Sequence, residues 1–143
     1  MKTKRQGGFT LIELVVVIAL LGILAAFAIP RFASLEREAR SATTQGLSGS
    51  VRSAAAMAHG LFLATGATPV NMEGNNIVIT NGYPDADDIS DTLADSTGFT
   101  VTTNGAGDTT TFVKTGAGGT CEVVYIEAAA NNPQTISVDT SGC

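Results

Sequence analysis

The stretch that decides the fold is FTLIELVVVIALLGILAAFAIP, residues 9–30, in which Thr10 and Glu13 are the only polar side chains. The 21 residues before Pro30 would span about 30 Å as a helix, which matches the hydrocarbon core of a bilayer. Basic residues without acidic neighbours precede this stretch, at Lys2, Lys4 and Arg5. Such a basic end stays on the cytoplasmic side of a membrane helix.

The composition excludes several classes of protein. The 143 residues suffice for one domain with a modest core, and 44% of them are hydrophobic while only 15% are charged, which argues against intrinsic disorder and against an ordinary cytosolic enzyme. The net charge of −5 argues against a nucleic-acid backbone as the main partner, because that affinity depends on Lys and Arg. The function therefore has to be sought in the organisation of the chain.

Three interpretations fit the apolar stretch: a cleaved secretory signal, a plain membrane anchor, and a membrane helix that loses only its basic leader. The small residues of Ala26-Phe27-Ala28 match a signal-peptidase site and support the first. Glu13 favours the third, because a carboxylate disfavours membrane insertion and a disposable signal gains nothing from it. Its nearest available cation would be the α-amine created by a cut between Gly8 and Phe9. The alternative is a carboxylate that reaches the lipid headgroups.

The residues Gly7-Gly8-Phe9-Thr10-Leu11-Ile12-Glu13-Leu14, followed by the apolar run and Pro30, resemble the leader and methylation motif of type IV pilins. The resemblance implies that a prepilin peptidase cuts after Gly8 and N-methylates Phe9. It also implies that Glu13 is needed for assembly, where it would pair with the N-terminal amine of a neighbouring subunit.

Beyond Ile29 the chain is amphipathic, with apolar residues at steps of three and four up to Phe62, which predicts that one helix runs from Phe9 to about Ala64. Such a helix would be about 84 Å long, so half of it would protrude from a small domain. Gly22 and Pro30 are expected to kink or loosen it, and in pilins the corresponding stretch often loses regular structure in the filament.

An apolar stem with many small residues would aggregate without a partner, so self-association along it is expected. If each stem packs on a neighbour displaced along an axis, the contact does not close and a helical filament results.

The second half, from Gly66, carries ten acidic residues against Lys114, a balance of −9. Five strands are predicted in it, at residues 76–80, 99–103, 109–114, 121–127 and 135–139, with turns at residues 104–107 and 116–119. We expect a small antiparallel β-meander covered by the helix face from Val51 to Phe62, hence an α+β fold.

The two cysteines, Cys121 and Cys143, would lie outside the cytoplasm after export, where a disulfide is the default. Such a bond would stabilise the head by about 3 kcal/mol in the chain-entropy model. It also resembles the C-terminal disulfide-bounded region of type IV pilins. A free reactive thiol at Cys143 is the competing interpretation.

Two motifs in the head invite binding hypotheses. The carboxylates between Asp85 and Asp91 suggest calcium, yet the EF-hand glycine and terminal glutamate are missing, so an acidic start of a short helix after Pro84 is preferred. Calcium keeps some weight because pseudopilins, which share the N-terminal motif, can bind it. The residues Asn81-Gly82-Tyr83-Pro84 resemble pilins of the mannose-sensitive haemagglutinin type; Tyr83 is expected to pack in a turn, with a ligand platform as the alternative.

The sequence predicts no enzyme, no cofactor and no metal site. His59 is the single histidine, so neither a histidine metal cluster nor a Ser-His-Asp arrangement can form within the chain, and His59 is expected to be a polar or packing residue. Phosphate-binding and dinucleotide-binding glycine patterns do not occur. The head lacks basic residues interleaved with aromatic ones, so it is not expected to bind nucleic acid.

The expected organisation is a leader (residues 1–8), a membrane and filament-core helix (9–30), its amphipathic continuation (31–65) and a globular head (66–143). The chain would be a structural subunit of a type IV pilus, held in the inner membrane before assembly and displayed on the cell surface afterwards. By resemblance, its partners are other copies of itself, the prepilin peptidase, an assembly ATPase and a platform protein, and the filament would serve adhesion, haemagglutination or motility. The alternatives are a pseudopilin of a type II secretion system, a minor pilin, and a soluble secreted domain released after Ala28.

Overall fold

The computed structural model describes residues 8–104 and 108–143. The chain divides into two compact units, the first ending at Arg37 and the second running from Glu38 to Cys143. Helix α1 (Leu11–Thr65) contributes residues to both units. The leader up to Gly7 and most of the predicted turn at residues 104–107 lie outside the described residues.

The helix of the first unit presents its apolar side chains to the surroundings. From Leu11 to Leu35 the large hydrophobic side chains are 47–80% exposed. Pro30 lies inside α1, which is helical on both sides of it, so the kink expected at Gly22 and Pro30 stays a prediction. The predicted single helix is confirmed, and its end at Thr65 is followed by Gly66 in the left-handed region, at φ +66°.

The head begins, after α1, with two small hairpins. They pair β1 (Val70–Met72) with β2 (Asn75–Ile77), and β3 (Ile79–Thr80) with β4 (Tyr83–Pro84). Their two-residue turns are Glu73-Gly74 and Asn81-Gly82, and all four residues have positive φ. A type I′ turn requires positive φ at both central positions, which explains the glycine at the second position of each turn.

The main sheet is an antiparallel meander of four strands in chain order: β5 (Phe99–Thr103), β6 (Thr109–Lys114), β7 (Glu122–Ile126) and β8 (Thr135–Asp139). Three of these strands have the predicted bounds, and β7 is one residue shorter at each end. The predicted α+β fold is confirmed.

One face of α1 covers both parts of the head. Leu47, Val51 and Ala55 pack with the core of the main sheet, which contains Phe112 and Tyr125. One turn further along, Ala58 and Phe62 pack with the apolar side chains of the small hairpins. Their spacing of three and four residues keeps them on one side of the helix, as the sequence pattern predicted.

Two local predictions were wrong. The strand predicted at residues 76–80 is interrupted at Val78, whose N–H donates to the Asp88 carboxylate (2.7 Å) and whose carbonyl accepts from the Asp85 N–H (2.9 Å). Pro84 lies in β4 and does not start a helix, and the short helix that follows is a 3₁₀ helix at Ile89–Thr92. Val78 bonds to Asp85 and Asp88, and Pro84 pairs with Ile79 across the β3–β4 turn; the local sequence pattern does not encode these contacts.

Candidate assembly site and the head that carries it

The predicted cleavage site lies outside regular structure. Gly8, Phe9 and Thr10 precede the first residue of α1, and the Phe9 side chain is 93% exposed. A peptidase needs its target bond in an extended and accessible segment, so the Gly8–Phe9 bond is placed where a cut is sterically possible. Cleavage there and methylation of Phe9 stay predictions.

Glu13 closes a reciprocal cap at the start of α1. Its Oε2 accepts hydrogen bonds from the Thr10 N–H and the Thr10 hydroxyl, both at 2.8 Å, while the Glu13 N–H donates to Thr10 Oγ1 at 3.3 Å. This is a capping box, in which Thr10 and Glu13 satisfy backbone donors that the helix start leaves unpaired. The cap was not predicted from the sequence, although the spacing Thr-x-x-Glu before an apolar run is its usual signal.

The carboxylate stands among apolar side chains. An open hollow of about 380 Å³ is lined by Glu13 together with Phe9, Ile12, Val16 and Val17. In length and composition α1 is also the one described helix that could cross a membrane, and none of its most apolar window is buried within the chain. This surface combines a fixed carboxylate with apolar area that is not covered within the chain.

At the other end of the chain, Cys121 and Cys143 form the predicted disulfide, with an S–S distance of 1.96 Å. Both cysteines are buried. The buried Thr44 of α1 lies against this bond, with its Oγ1 3.3 Å from Cys121 Sγ, and the same hydroxyl donates to the Arg40 carbonyl at 2.9 Å. The disulfide therefore packs on the helix as well as closing the C-terminal segment, and the free-thiol interpretation is wrong.

Backbone and side-chain hydrogen bonds hold the last residues beside Thr120. The Gly142 N–H donates to the Thr120 carbonyl at 2.7 Å, and the hydroxyls of Thr120 and Ser141 are 2.9 Å apart. The Ser141 N–H donates to the Asp139 carboxylate at 2.9 Å, and the hydrogen bonds from Ser141 lower the pKa of Asp139. The C-terminus is thus tied to the strand that begins after Cys121.

The acidic segment from Asp85 to Asp91 organises loops. Asp88 accepts from the Val78 N–H, and Asp85 accepts from the Thr80 hydroxyl (3.2 Å) and from the Asp87 N–H (2.9 Å). Among the residues that the structure describes, no group of three or more acidic, histidine or cysteine side chains is placed to hold a metal ion. The carboxylates that form these hydrogen bonds organise loops, whereas the sequence predicted them as the acidic start of a helix after Pro84; Pro84 lies in β4, and the 3₁₀ helix begins only at Ile89.

The carboxylate of Glu127 lies beside this acidic segment, where its surroundings shift its pKa. Burial raises the pKa of Glu127, and the neighbouring carboxylates of Asp85, Asp108 and Asp87 act in the same direction. The Ala86 N–H, which donates to Glu127 Oε2 at 3.3 Å, lowers the pKa and opposes them in part.

Tyr83 and His59 pack against each other. Their rings stack with centroids 4.3 Å apart and planes 5° from parallel, and His59 Nδ1 is 2.6 Å from the Gly82 carbonyl. This contact joins the β3–β4 turn to α1 and accounts for both residues as packing groups, as expected for His59 and for the turn interpretation of Tyr83.

The buried Tyr125 was not singled out from the sequence. Its hydroxyl donates to the Pro84 carbonyl at 2.6 Å, and burial raises the pKa of this phenol, so it stays a donor. The contact joins the centre of the main sheet to the second hairpin.

Comparison with known protein families identifies the N-terminal motif. Residues 3–29 match the prokaryotic N-terminal methylation motif. The chain is 50% identical over 54 residues to the type IV narrow pilus major component PilA5 of Thermus thermophilus, covering 38% of this chain and 47% of that protein. It is 43% identical over 70 residues to two fimbrial proteins of Pseudomonas aeruginosa, covering 46% of this chain and 44% of each of them.

The matched part of the chain thus spans less than half the length of these relatives. No solved structure matches the chain significantly. The methylation motif, the similarity to pilus and fimbrial proteins and the long helix packed on antiparallel sheets agree with one another. They confirm what the sequence indicated, that this chain resembles type IV pilins in its N-terminal motif and has an α+β fold of the type IV pilin kind.

Proposed function

We propose that this chain is a structural, non-enzymatic subunit of a type IV pilus. The observation that carries the proposal is the methylation motif at residues 3–29 on a helix whose apolar side chains are exposed within the chain. Such a surface needs lipid before assembly and other stems afterwards. The relatives named as a pilus component and as fimbrial proteins favour a pilus over the pseudopilin of a secretion system.

The maturation step follows from the motif. A prepilin peptidase would cut between Gly8 and Phe9 and methylate Phe9, which lies outside α1. The new amine would lie one residue before Thr10, whose N–H and hydroxyl orient the Glu13 carboxylate. In a filament, Glu13 of one copy would receive the amine of a neighbour in a surrounding of low dielectric constant, where such a pair is strongest.

The wider setting of this proposal is an inner-membrane subunit that becomes part of an extracellular filament. An assembly ATPase and a platform protein would extract it, and the filament would serve attachment, including haemagglutination, or motility. The stretch Asn81-Gly82-Tyr83-Pro84 supports a pilin of the mannose-sensitive haemagglutinin type.

The first test is intact mass and N-terminal sequencing of the protein sheared from the cell surface. We expect a chain that begins with methylated Phe9. A chain beginning at Ile29 would contradict the proposal, because it would identify a soluble domain released after Ala28.

The second test replaces the carboxylate. Glu13→Ala should leave export and head folding unchanged while the yield of surface filaments falls, and Glu13→Asp should retain part of that yield. Filaments at wild-type yield from Glu13→Ala would remove the amine-pairing mechanism without removing the pilus assignment.

A further inference from the structure

The main sheet has two edge strands, β5 and β8, because its strands follow one another in chain order. In an antiparallel sheet, every second residue of an edge strand bonds to the neighbouring strand, and the N–H and C=O groups of the residues between them point away from the sheet. A row of unpaired groups of this kind is a template for pairing with another strand.

Hydrogen bonds just beyond the two ends of β5 show which of its residues bond to β6. The Asn104 N–H donates to the Thr109 carbonyl (3.0 Å), and the Thr115 N–H donates to the Gly98 carbonyl (3.0 Å). Both pairs continue the register between β5 and β6. Bonded and non-bonded pairs alternate along an antiparallel ladder, so the even-numbered residues of β5 bond to β6.

The odd-numbered residues of β5, which are Phe99, Val101 and Thr103, therefore direct their backbone groups away from the sheet. The Phe99 N–H donates to the Ser96 carbonyl at 3.1 Å. None of the described residues bonds to the other outward groups, which are the Phe99 carbonyl and both backbone groups of Val101 and Thr103. This row of donors and acceptors is open to another strand.

The edge at β8 is occupied at its centre. The Lys114 N–H donates to the Cys121 carbonyl at 2.8 Å, so the odd-numbered residues of β7 bond to β6 and the even-numbered ones to β8. The register between β7 and β8 then directs Ile136 outward. Its carbonyl accepts from Arg52 Nη2 of α1 at 2.8 Å, and an incoming strand would have to displace this arginine. The open edge is therefore that of β5.

The open strand carries no charge. Residues 98–104 contain no acidic or basic side chain, although the charge balance from Gly66 onward is −9. The single basic residue of that half, Lys114, lies opposite Phe99, with its Nζ 4.7 Å from the centroid of the Phe99 ring. Two acidic heads repel each other, and this repulsion is reduced at an uncharged edge beside a cation.

We propose that the β5 edge pairs antiparallel with the β5 edge of a second copy of this chain, with Val101 opposite Val101. In this register each Val101 N–H donates to the other Val101 carbonyl, and each Thr103 N–H donates to the Phe99 carbonyl of the other copy. The Phe99 N–H, which already bonds to Ser96, is not required, and only the Thr103 carbonyl at the end of the strand stays unpaired. The free groups of β5 thus complement themselves, which selects a second copy as the occupant.

The contact is two-fold, because the same residues take part from both sides. Successive copies in a filament are related by a rotation with a displacement along the axis, whereas a two-fold contact closes and does not repeat. The pairing therefore joins heads of two different filaments and makes the filaments bundle. One such contact is short, but many heads along two filaments add their contacts as avidity. The inference rests on the proposed function and adds a lateral contact to it.

Exposed threonines on the solvent face of β5 provide the test. In the proposed register Thr100 of one copy lies opposite Thr102 of the other, at a cross-strand distance of about 5 Å. Thr100→Lys/Thr102→Lys places lysine against lysine, so the fraction of purified filaments that pellets at low speed should fall by about tenfold or more. Thr100→Lys/Thr102→Glu keeps the net charge of the wild type and places lysine against glutamate, so its filaments should pellet within about threefold of the wild type.

A backbone variant tests the hydrogen bonds without adding charge. Val101→Pro removes the outward N–H at the centre of β5, and proline is tolerated on an edge strand where that group faces solvent. The pelleted fraction should again fall by about tenfold or more, because both central hydrogen bonds are lost.

Matched controls separate this edge from general effects of charge and folding. Thr135→Lys/Ser137→Lys adds the same two charges at exposed positions of β8, whose edge holds Arg52, and its filaments should pellet like the wild type. Thermal unfolding of each full-length variant in detergent should match the wild type.

Wild-type filaments that stay dispersed, or Thr100→Lys/Thr102→Lys filaments that pellet like the wild type, would overturn the pairing and leave the pilus assignment standing. Thr100→Lys/Thr102→Glu filaments that are as dispersed as those of the double lysine variant would overturn the antiparallel register centred on Val101. Electron microscopy of wild-type cells precedes the pelleting assay. Absence of filaments there would instead overturn the proposed function, so the two failures are distinguishable.

Discussion

Gly142 lies so close to Gly119 that a Cβ at position 142 would come within 2.5 Å of the Gly119 carbonyl carbon. The same Cβ would lie closer still to the Thr120 nitrogen. Both neighbours are backbone atoms, which cannot move aside as the end of a side chain can. The approach brings the residue before Cys143 against the residues that precede Cys121.

Gly142→Ala should therefore destabilise the head by about 1–3 kcal/mol, the usual cost of a steric insertion into a packed site. The measurement is urea unfolding of the full chain in detergent, with Gly118→Ala as control, because a Cβ at Gly118 meets nothing within 4 Å. Equal unfolding midpoints for the two variants would show that the C-terminal segment can shift away.

The hydrogen bond between Tyr125 and Pro84 gives a second prediction. Tyr125→Phe keeps the buried ring but leaves the Pro84 carbonyl without its 2.6 Å donor, at a cost of about 1–2 kcal/mol. Tyr83→Phe is the control, since it keeps the ring that stacks on His59. A Tyr125→Phe chain as stable as the wild type would mean that another donor reaches this carbonyl.

The disulfide between Cys121 and Cys143 gives a third prediction. Replacing both cysteines, as Cys121→Ser/Cys143→Ser, should lower the free energy of unfolding by about 3 kcal/mol because the unfolded chain loses a cross-link. Reduction of the disulfide in the wild-type chain should lower the free energy of unfolding by a similar amount. An unchanged midpoint in the double variant would show that hydrogen bonds such as that of Gly142 with Thr120 suffice to hold the segment.

Glu127 makes stability depend on pH. Its pKa in the folded chain is raised above the ordinary value of 4.5, so the folded state keeps the proton to higher pH than the unfolded state does. The stabilisation that this proton gives is complete below pH 4.5, the ordinary pKa, and it is lost as the pH rises through the raised pKa of the folded chain.

Glu127→Gln, which cannot lose a proton and keeps an acceptor for the Ala86 N–H, should gain thermal stability over the wild type as the pH rises from the ordinary pKa of 4.5 towards neutral pH. Glu73→Gln, at an exposed position, serves as the control. A melting-temperature difference that stays constant across this range would be inconsistent with the raised pKa.

The cap at the start of α1 gives a fifth prediction. Thr10→Ala removes the hydroxyl that bonds to Glu13 Oε2 and that accepts from the Glu13 N–H, and caps of this type contribute about 1 kcal/mol. Amide hydrogen exchange of the first turn, measured in detergent micelles, should become faster. Thr10→Ser keeps the hydroxyl and should exchange at close to the wild-type rate.

The sequence by itself determined the features whose signal is local. The apolar run, the three-and-four spacing of the helix face and the alternation of the four sheet strands each lie within a short window, so α1 and the meander could be predicted nearly to the residue. The N-terminal motif is local too, because its residues are contiguous in the chain, and they carry the resemblance to pilins without any tertiary contact. The pairing of Cys121 with Cys143 followed because no other cysteine is available.

Only the tertiary structure decided the contacts between distant residues. The bond from Tyr125 to Pro84 joins residues 41 positions apart, and the break at Val78 depends on Asp88, ten positions further along the chain; no periodicity records either contact. The same is true of Thr44 against the disulfide, 77 residues away from Cys121. Hydrogen-bond partners are set by how packed elements approach one another, and that approach depends on the whole core rather than on any one window of sequence.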